Sequence, residues 1–401
     1  MKRKLVLLGL ILSLIATPLV ACSQSPSAPD EDPIKIGVLL DQTSWGSATD
    51  LLTIPGFKFA VDQIGSINGR PVELIFEDTG SNPKQAMDKA RKLTERDGIV
   101  LALGIGYSGV ASAVTPYFTQ NKIPMIPLYA YHFEVARQDN WFYFPIGANA
   151  MYGYGSGIFA AEELGAKTAT TAALDFAGPH EYTEGFRRGF EERGGKVIQN
   201  QWFATDVVDF SSYILNMEKA DVLALTIFGT MDVAFFSQYR ELVKPDDYPV
   251  LWLWDEFDFP VNRQLLNGPA EMPAYSAASF SFKDAQTKEA FESSYLELYG
   301  AGIPSDTAPF YLAYYAASIG LQALKMTGGE GGDALHEAME TMDWESVRGR
   351  VKFTDRLMDS IIEIRKAEAG DRHYEMVPVK QYRTHGEWNA DKSDMILTQV
   401  K

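Results

Sequence analysis

The residues best suited to chemistry lie in one short glycine-rich segment. Residues 104–109 (GIGYSG) spell G-x-G-x-x-G between a predicted strand and a predicted helix. In dinucleotide-binding folds this fingerprint follows the first strand, and an acidic residue at the end of the next strand holds the ribose. Here it follows the third predicted strand, and the fourth leads into residues 128–131 (LYAY), with no carboxylate before Glu134. The pattern therefore disfavours a nicotinamide cofactor. It leaves a turn whose backbone N–H groups suit a carboxylate.

Ser108 in this segment also raises the question of nucleophilic catalysis. The nucleophile-elbow motif G-x-S-x-G is missed by one position, because Val110 stands where the last glycine belongs. Ser108, Asp255 and His336 are the residue types of a catalytic triad. Nothing in the sequence, however, indicates that His336 lies near Ser108. A serine at a helix N-terminus is commonly structural. The histidines show no metal-ligand spacing. We therefore expect no catalytic residue, no metal and no cofactor.

The elements that must position these residues alternate between strand and helix. Strands are predicted at 34–40, 71–77, 99–103 and 123–128, with helices between them, the first at 54–67. The alternation restarts near residue 153, with further strands at 168–174, 196–202, 222–228 and 250–254, and extended segments near the end of the chain. This order predicts an α/β fold with two doubly wound parallel-sheet lobes.

The candidate ligand-binding residues follow the carboxyl ends of these strands, where open parallel sheets bind their ligands. They are aromatic, hydroxyl-bearing, acidic or small. In the first half they are Trp45, Tyr107, Ser108, Gly109, Tyr129, Ala130 and Tyr131, and in the second half Phe176, Tyr182, Phe228, Asp255 and Glu256.

The first residues predict export and a lipid anchor. A basic start at residues 1–4 precedes an apolar run at 5–15, and residues 19–22 (LVAC) place the only cysteine, Cys22, at the expected cleavage point. This resembles a bacterial lipobox, in which the cysteine is lipidated. An ordinary signal peptide with an incidental cysteine is the alternative. Residues 23–33 (SQSPSAPDEDP) form a polar tether. A net charge of −17 disfavours nucleic acid as a partner.

Several short segments together resemble a known family. They are residues 34–37 (IKIG), 77–78 (ED), 82–86 (NPKQA), 123–127 (IPMIP), 182–186 (YTEGF) and 209–211 (DFS). In this order they are similar to the leucine/isoleucine/valine-binding group of type I periplasmic binding proteins, the exported receptors of ABC importers. The resemblance implies two lobes joined by a three-strand hinge, with ligand between them. It assigns 34–147 plus 277–352 to lobe 1 and 148–276 plus 353–401 to lobe 2, after the lipoprotein signal peptide at 1–21 and the tether at 22–33 that the N-terminal residues predict.

The same resemblance implies roles for individual residues. Ser108 and nearby backbone N–H groups would hold a carboxylate, while Tyr182 and Asp255, or the adjacent Glu256, would hold an ammonium group. The chain departs from the amino-acid binders at residues 128–131 (LYAY), where a threonine-containing run is expected. Tyr107 and Trp45 also add rings to the site. The ligand therefore stays open among amino acids, aromatic carboxylates and amides.

The expected function is that of a lipid-anchored extracytoplasmic receptor. It would be a monomer and not an enzyme, would close on a small organic solute, and would deliver that solute to an ABC permease. Two alternatives remain at this point. The chain could serve as the ligand-sensing domain of a signalling system or, with less support, as a surface hydrolase that uses Ser108.

Overall fold

Two β-sheets with flanking helices organise the chain. The computed structural model describes residues 32–129, 140–243, 249–255, 273–304, 307–354, 356–358, 361–369, 374–384 and 397–399. The predicted signal peptide with Cys22, most of the tether, Ala130, Tyr131 and Glu256 lie outside the described residues. Within these ranges, no helix has both the length and the apolar character that crossing a bilayer requires.

The described elements are numbered in chain order. The strands are β1 (Ile34–Leu40), β2 (Ser66–Ile67), β3 (Arg70–Asp78), β4 (Leu101–Gly104), β5 (Met125–Pro127), β6 (Thr168–Leu174), β7 (Lys196–Phe203), β8 (Val222–Thr226), β9 (Val250–Trp252), β10 (Ala274–Ala278), β11 (Trp344–Ser346), β12 (Gly349–Val351), β13 (Phe353–Thr354), β14 (Leu357–Met358), β15 (Ile361–Ala369), β16 (Tyr374–Thr384) and β17 (Leu397–Gln399). The helices are α1 (Ser47–Asp50), α2 (Ile54–Ile64), α3 (Pro83–Arg91), α4 (Ser108–Gln120), α5 (Asn149–Glu162), α6 (Ala177–Glu191), α7 (Ser211–Leu215), α8 (Thr230–Leu242), α9 (Ala285–Tyr299), α10 (Ala308–Thr327) and α11 (Gly332–Glu340). Short helical turns at Leu51–Thr53 and Lys92–Asp97 continue α1 and α3.

The first sheet has the strand order β2-β3-β1-β4-β5. β1 pairs in parallel with β3 and β4, and β4 pairs in parallel with β5. Nearly all residues of β1 are buried, as expected for a central strand with both faces covered. α10 lies directly on this sheet, because a Cβ placed on Gly320 would come within 2.4 Å of Leu101 Cδ2 in β4.

The second sheet has the order β17-β16-β15-β10-β9-β8-β6-β7. Strands β6 to β10 pair in parallel, whereas β15, β16 and β17 add an antiparallel edge. The edge arises because only residues 370–373 separate β15 from β16, and a parallel pair needs a longer crossover. The predicted α/β class with two lobes is confirmed, but this second sheet is mixed rather than all-parallel.

The chain passes between the two sheets in three stretches. These lie between β5 and β6, after β10, and before β15. α10, between the second and third stretches, packs on α2, and a Cβ placed on Gly56 of α2 would come within 2.1 Å of Phe310 O. The lobe boundaries at 147/148, 276/277 and 352/353 remain predictions.

α5 and α6 pack against each other through glycine. A Cβ placed on Gly153 would come within 1.9 Å of Tyr182 O, and one on Gly185 within 2.1 Å of Ala150 O. No larger residue permits this approach of two helix backbones without movement. The contact fixes the first turns of both helices, which carry Asn149 and Gly178.

Candidate ligand-binding site

A pocket lies between the two sheets at the carboxyl ends of their strands. It holds about 630 Å³ of empty space, part of which is open to solvent. Its walls come from the segments that follow β1, β4 and β5 in the first sheet and β6, β8 and β9 in the second. The lining residues are Trp45, Gly46, Thr49, Asp50, Ser81, Gly106, Tyr107, Ser108, Tyr129, Asn149, Phe176, Gly178, Tyr182, Phe228, Gly229 and Trp254.

Seven of the sixteen described lining residues are aromatic, and they come from both lobes. Across the gap, the rings of Tyr107 and Phe176 lie 5.0 Å apart at 81°, and those of Tyr129 and Trp254 lie 5.7 Å apart at 89°. Trp45 also contacts Phe176, with 6.1 Å between ring centroids. Ring contacts of this kind build an apolar surface that suits a flat organic molecule.

Four helices begin at this pocket. α4 starts at Ser108 and α5 at Asn149, α6 starts one residue before Gly178, and α8 starts one residue after Gly229. None of these four helices is capped by the side chain of its own N-cap residue, as is also true of the other described α-helices except α3 and α9. α8 differs from the other three because the buried Asp232 lies in its first turn and accepts the Val233 N–H at 2.6 Å. The first N–H groups of a helix have no partner within the helix, and the helix dipole makes that end attractive to negative charge. The arrangement suits an anionic group.

The Ser108 hydroxyl joins the two lobes. It is buried and accepts a hydrogen bond from the Gly178 N–H at 3.3 Å. At that length the bond is weak, so an anion can replace the hydroxyl as acceptor for the N–H while the hydroxyl turns to donate. Burial raises the pKa of the neighbouring Tyr107 hydroxyl above its usual value, which keeps it protonated and able to donate.

Asn149 presents an unsatisfied acceptor. Its side chain lines the pocket, and its Oδ1 atom is buried without a hydrogen-bond partner. A buried amide oxygen without a donor costs about 1–3 kcal/mol. A donor on a bound molecule would recover that energy.

Asp50 is the carboxyl group in the described lining. It is 4% exposed, and its Oδ2 accepts the Asp41 N–H at 2.7 Å. Its Oδ1 lies 2.9 Å from the point that a Cβ on Gly106 would occupy. Burial, with a smaller contribution from the charge of Asp41, raises the pKa of the Asp50 carboxyl to about 7. Near neutral pH it can therefore either donate or accept a hydrogen bond.

Asp41 stays ionised beside it. Burial acts to raise the pKa of Asp41, but hydrogen bonds from Ser44 and Ser81 and from the Gly46 N–H outweigh burial and lower it. The loop after β1 is therefore folded around one fixed negative charge, which holds Asp50 and Trp45 at the pocket.

The structure brings most of the predicted residues together. Trp45, Tyr107, Ser108, Tyr129, Phe176, Tyr182 and Phe228 all line the pocket. Gly109 lies in the first turn of α4, where a Cβ would come 2.9 Å from the Tyr107 ring, and it is not part of the lining. Their roles in binding remain predictions.

Asp255 is not among the residues that line the pocket. It is fully buried, and its carboxylate accepts the N–H of Ser279 at 2.6 Å as well as the Ser279 hydroxyl. The preceding residue, Trp254, lines the pocket instead. The hydrogen bonds with Ser279 hold the Asp255 carboxylate away from the gap, while Trp254 reaches it. A role for Asp255 in ligand binding remains a prediction.

Several lining residues escaped the sequence analysis, chiefly Asp50, Asn149 and Trp254. Asn149 could have been found from the sequence, because it lies just after the expected crossover at 147/148 and just before the helix near residue 153. Trp254 could have been found too, because it ends a predicted strand. Asp50 could not, because the loop after β1 shows no periodic pattern that would show which side chain turns inward.

Comparisons with known proteins agree with this architecture. The family model described as "Periplasmic binding protein" matches residues 33–362. A Leu/Ile/Val-binding protein homolog of Brucella abortus is 22% identical over 398 residues, covering 92% of this chain and 97% of the relative.

Two solved structures are similar over nearly the whole fold. An ABC transporter substrate-binding protein from Sphaerobacter thermophilus is 26% identical, with a TM-score of 0.75 over 87% of this chain and 97% of that one. A solute-binding protein of an ABC transporter from Rhodopseudomonas palustris, in complex with 3,4-dihydroxybenzoic acid, is 22% identical with a TM-score of 0.77 over the same shares.

The family match spans most of the chain and confirms the resemblance drawn from the short segments. It also implies an extracytoplasmic location, because the family consists of binding proteins that act outside the cytoplasm. With the fold, the interlobe pocket and the family match in agreement, the chain belongs to the periplasmic binding protein family.

Proposed function

We propose that this protein is the solute-binding receptor of an ABC importer and that it holds a small aromatic carboxylate between its lobes. The observation that carries the proposal is the meeting of the N-termini of α4, α5 and α6, which have no acidic residue in the first turn, in one pocket lined by aromatic rings. The helix ends suit a carboxylate and the rings suit a flat hydrocarbon.

The absence of basic side chains supports helix ends as the anion site. No Lys, Arg or His is found among the described lining residues. An anionic ligand would therefore be held by backbone N–H groups with the hydroxyls of Ser108 and Tyr107. Charge-assisted hydrogen bonds of this kind are short and stronger than neutral ones.

An amino acid is the second candidate ligand, and Asp50 is the observation that favours it. An ionised Asp50, together with Asn149 Oδ1, would accept hydrogen bonds from an ammonium group. A neutral Asp50 would instead tolerate an aromatic carboxylate and donate to it. With a pKa of about 7 at Asp50, the two ligands respond to pH in opposite directions. Affinity for an aromatic carboxylate falls above pH 7, whereas affinity for an amino acid rises as Asp50 ionises.

The mechanism is closure of two lobes on a shared ligand. Because Trp45, Tyr107 and Ser108 follow strands of the first sheet while Phe176 and Trp254 follow strands of the second, a bound solute contacts both. A ligand that touches both lobes stabilises the closed arrangement by its difference in affinity for the closed and open forms.

A thermal-unfolding screen tests the ligand assignment. We expect benzoate and hydroxybenzoates to raise Tm, since a ligand at a hundredfold excess over Kd stabilises by about 2.7 kcal/mol. Leucine, isoleucine and neutral amides serve as comparison ligands. A shift with leucine and none with any aromatic acid would replace the proposed ligand class with the second candidate.

Delivery to a permease needs a cellular test. Deletion of the gene should abolish uptake of the solute found in the screen, and the wild-type gene should restore it. Uptake that is unchanged in the deletion strain would contradict a role in transport.

A further inference from the structure

A second cavity lies where the chain crosses between the two lobes, away from the ligand pocket. It is bounded by the hairpin of β11 and β12, by α10, and by the facing ends of β15 and β16. α10 packs on the first sheet, whereas β15 and β16 belong to the second. The walls of the cavity therefore include an element packed on the first sheet and strands of the second.

Positive charge dominates this cavity. Arg348, Arg350, Lys352 and Arg383 all line it, and no Asp or Glu is found among its described lining residues. The chain carries 53 acidic and 36 basic residues, so most basic side chains have carboxylates available to them. Four cations around one space therefore need an explanation, because like charges at short range repel each other.

Within the described residues, Arg350 is the one of the four that forms an ion pair. Arg350 pairs with Asp343, with 2.6 Å between Nε and Oδ1. Arg348, Lys352 and Arg383 make no ion pair with a described carboxylate. Lys352 and Arg383 are exposed, so water stabilises their charges. Arg348 is partly buried, so water stabilises its charge less well.

Aromatic rings hold Arg348 in place at the cavity wall. Its guanidinium carbon lies 5.4 Å from the ring centre of Phe280 and 5.2 Å from that of Tyr315. Stacking on ring faces restricts the side chain while leaving its N–H groups at the edge of the plane available as donors. A planar fork held in this way matches two oxygens of a tetrahedral anion.

We propose that this cavity binds a multivalent oxyanion of the phosphate or sulfate type, held by Arg348, Lys352 and Arg383. The anion neutralises three cations that otherwise repel one another. Because Arg348 lies in the turn between β11 and β12 and Arg383 lies next to the last residue of β16, the bound anion links two elements where the chain crosses between the lobes. This site is separate from the solute pocket and does not depend on which solute that pocket takes.

Thermal unfolding with inorganic phosphate tests the site, with sodium chloride used to hold ionic strength constant. We expect a saturable rise in Tm with phosphate and with sulfate, and none with chloride alone. Arg348→Gln and Arg383→Gln should each weaken the apparent affinity by about tenfold, the usual effect of removing one hydrogen bond to a charged group. Lys84→Gln removes the same charge from the exposed surface of α3 and should leave the phosphate response unchanged.

Arg383 provides the variant that keeps the test decisive. Its side chain is exposed, so Arg383→Gln should fold even if Arg348→Gln, which loses two ring contacts, does not. An unchanged phosphate response in Arg383→Gln would overturn the proposal. A rise in the Tm of the wild type with phosphate that is no larger than the rise with chloride would also overturn the proposal.

The phosphate group of a lipid headgroup could bind the same cations, so a further experiment distinguishes a lipid from a free oxyanion. Purified protein is mixed with phosphatidylglycerol vesicles, and phosphatidylcholine vesicles serve as the control. The protein could bind the anionic vesicles through Arg383 and yet show no Tm response to free phosphate. That result would contradict a soluble oxyanion as the ligand.

Discussion

At the scale of residues, Asp50 couples the stability of the protein to pH. Its pKa is raised to about 7 in the folded chain by burial, against 3.8 for an ordinary aspartate. The folded state therefore binds a proton that the unfolded state releases between these values, and stability falls as pH rises through that window. Carboxyl groups with lowered pKa, such as Asp41 and Glu77, act in the opposite direction but only at lower pH.

Asp50→Asn should flatten this dependence. Between pH 5 and pH 7 we expect the free energy of unfolding of the wild type to fall by about 2 kcal/mol because of this one group. Denaturant unfolding at several pH values measures it. Asp88→Asn, an exposed change on α3, is the control and should keep the wild-type slope. Equal slopes in wild type and Asp50→Asn would show that Asp50 is ionised throughout.

Ser108 separates affinity from stability. Ser108→Ala should weaken binding of an aromatic carboxylate by about 1–3 kcal/mol, because a buried charged acceptor loses a donor. Stability should change much less, since the hydroxyl makes only one long hydrogen bond, at 3.3 Å, to the Gly178 N–H. Calorimetry and denaturant unfolding measure the two quantities. Ser112→Ala, exposed on the same helix, should alter neither. If Ser108→Ala bound the aromatic carboxylate with wild-type affinity, Ser108 would not take part in ligand binding.

At the scale of elements, the packing of α5 on α6 sets the position of two of the four helix N-termini. The two helices approach through glycines, with Gly153 against the backbone of Tyr182. Loss of this fit would shift Asn149 and Gly178 together, because each lies in the first turn of its helix.

Gly153→Ala should lower the free energy of unfolding by about 1–3 kcal/mol, because the added methyl group would lie 1.9 Å from Tyr182 O. Alanine favours a helix more than glycine does, but the cost of overpacking is larger than that gain. Gly155→Ala on the same helix is the matched control. There a Cβ meets the side chain of Ile362 at 3.4 Å, an ordinary contact, so the change should be neutral within about 1 kcal/mol. Thermal unfolding measures the Tm of both variants. Equal Tm values would contradict the close packing of α5 on α6 at Gly153.

Periodicity predicted the elements well where one face is buried. β1 at 34–40 and β6 at 168–174 have the predicted bounds, because they are apolar central strands. The predicted helix at 54–67 ends at Ile64 instead, and residues 66–67 form a hairpin with β3. Asn68 and Gly69 there have φ values of 51° and 84°, as a type I′ turn requires. The Asn-Gly pair was a signal for this hairpin that the helical spacing obscured.

The site was predictable only in part, for a physical reason. Strand ends identify the loops that surround the pocket, and so the analysis found Trp45, Ser108 and Phe176. Which side chain of a loop turns inward depends on contacts made across the chain. Trp254 and Asp255 illustrate this, because the hydrogen bonds of Ser279 hold the Asp255 carboxylate and leave the ring at the pocket.

At the scale of the whole molecule, the proposed receptor must remain near its permease, and residues 19–22, which resemble a lipobox, predict a lipid anchor that would keep it there. We predict that Cys22→Ser moves the protein from the membrane fraction to the soluble fraction after a salt wash, because the acyl chains are lost. Ligand binding should be unaffected. Retention of the Cys22→Ser protein in the membrane fraction would contradict lipid anchoring at this residue.

The central claim is that helix N-termini and aromatic walls together select an aromatic carboxylate. Calorimetric titration with benzoate and with benzamide tests it most directly, because the two molecules share shape and ring but differ in charge. At pH 6, with Asp50 mostly protonated, the account predicts that benzoate binds at least tenfold more tightly than benzamide. Equal affinity for the two, or binding of benzamide alone, would contradict it.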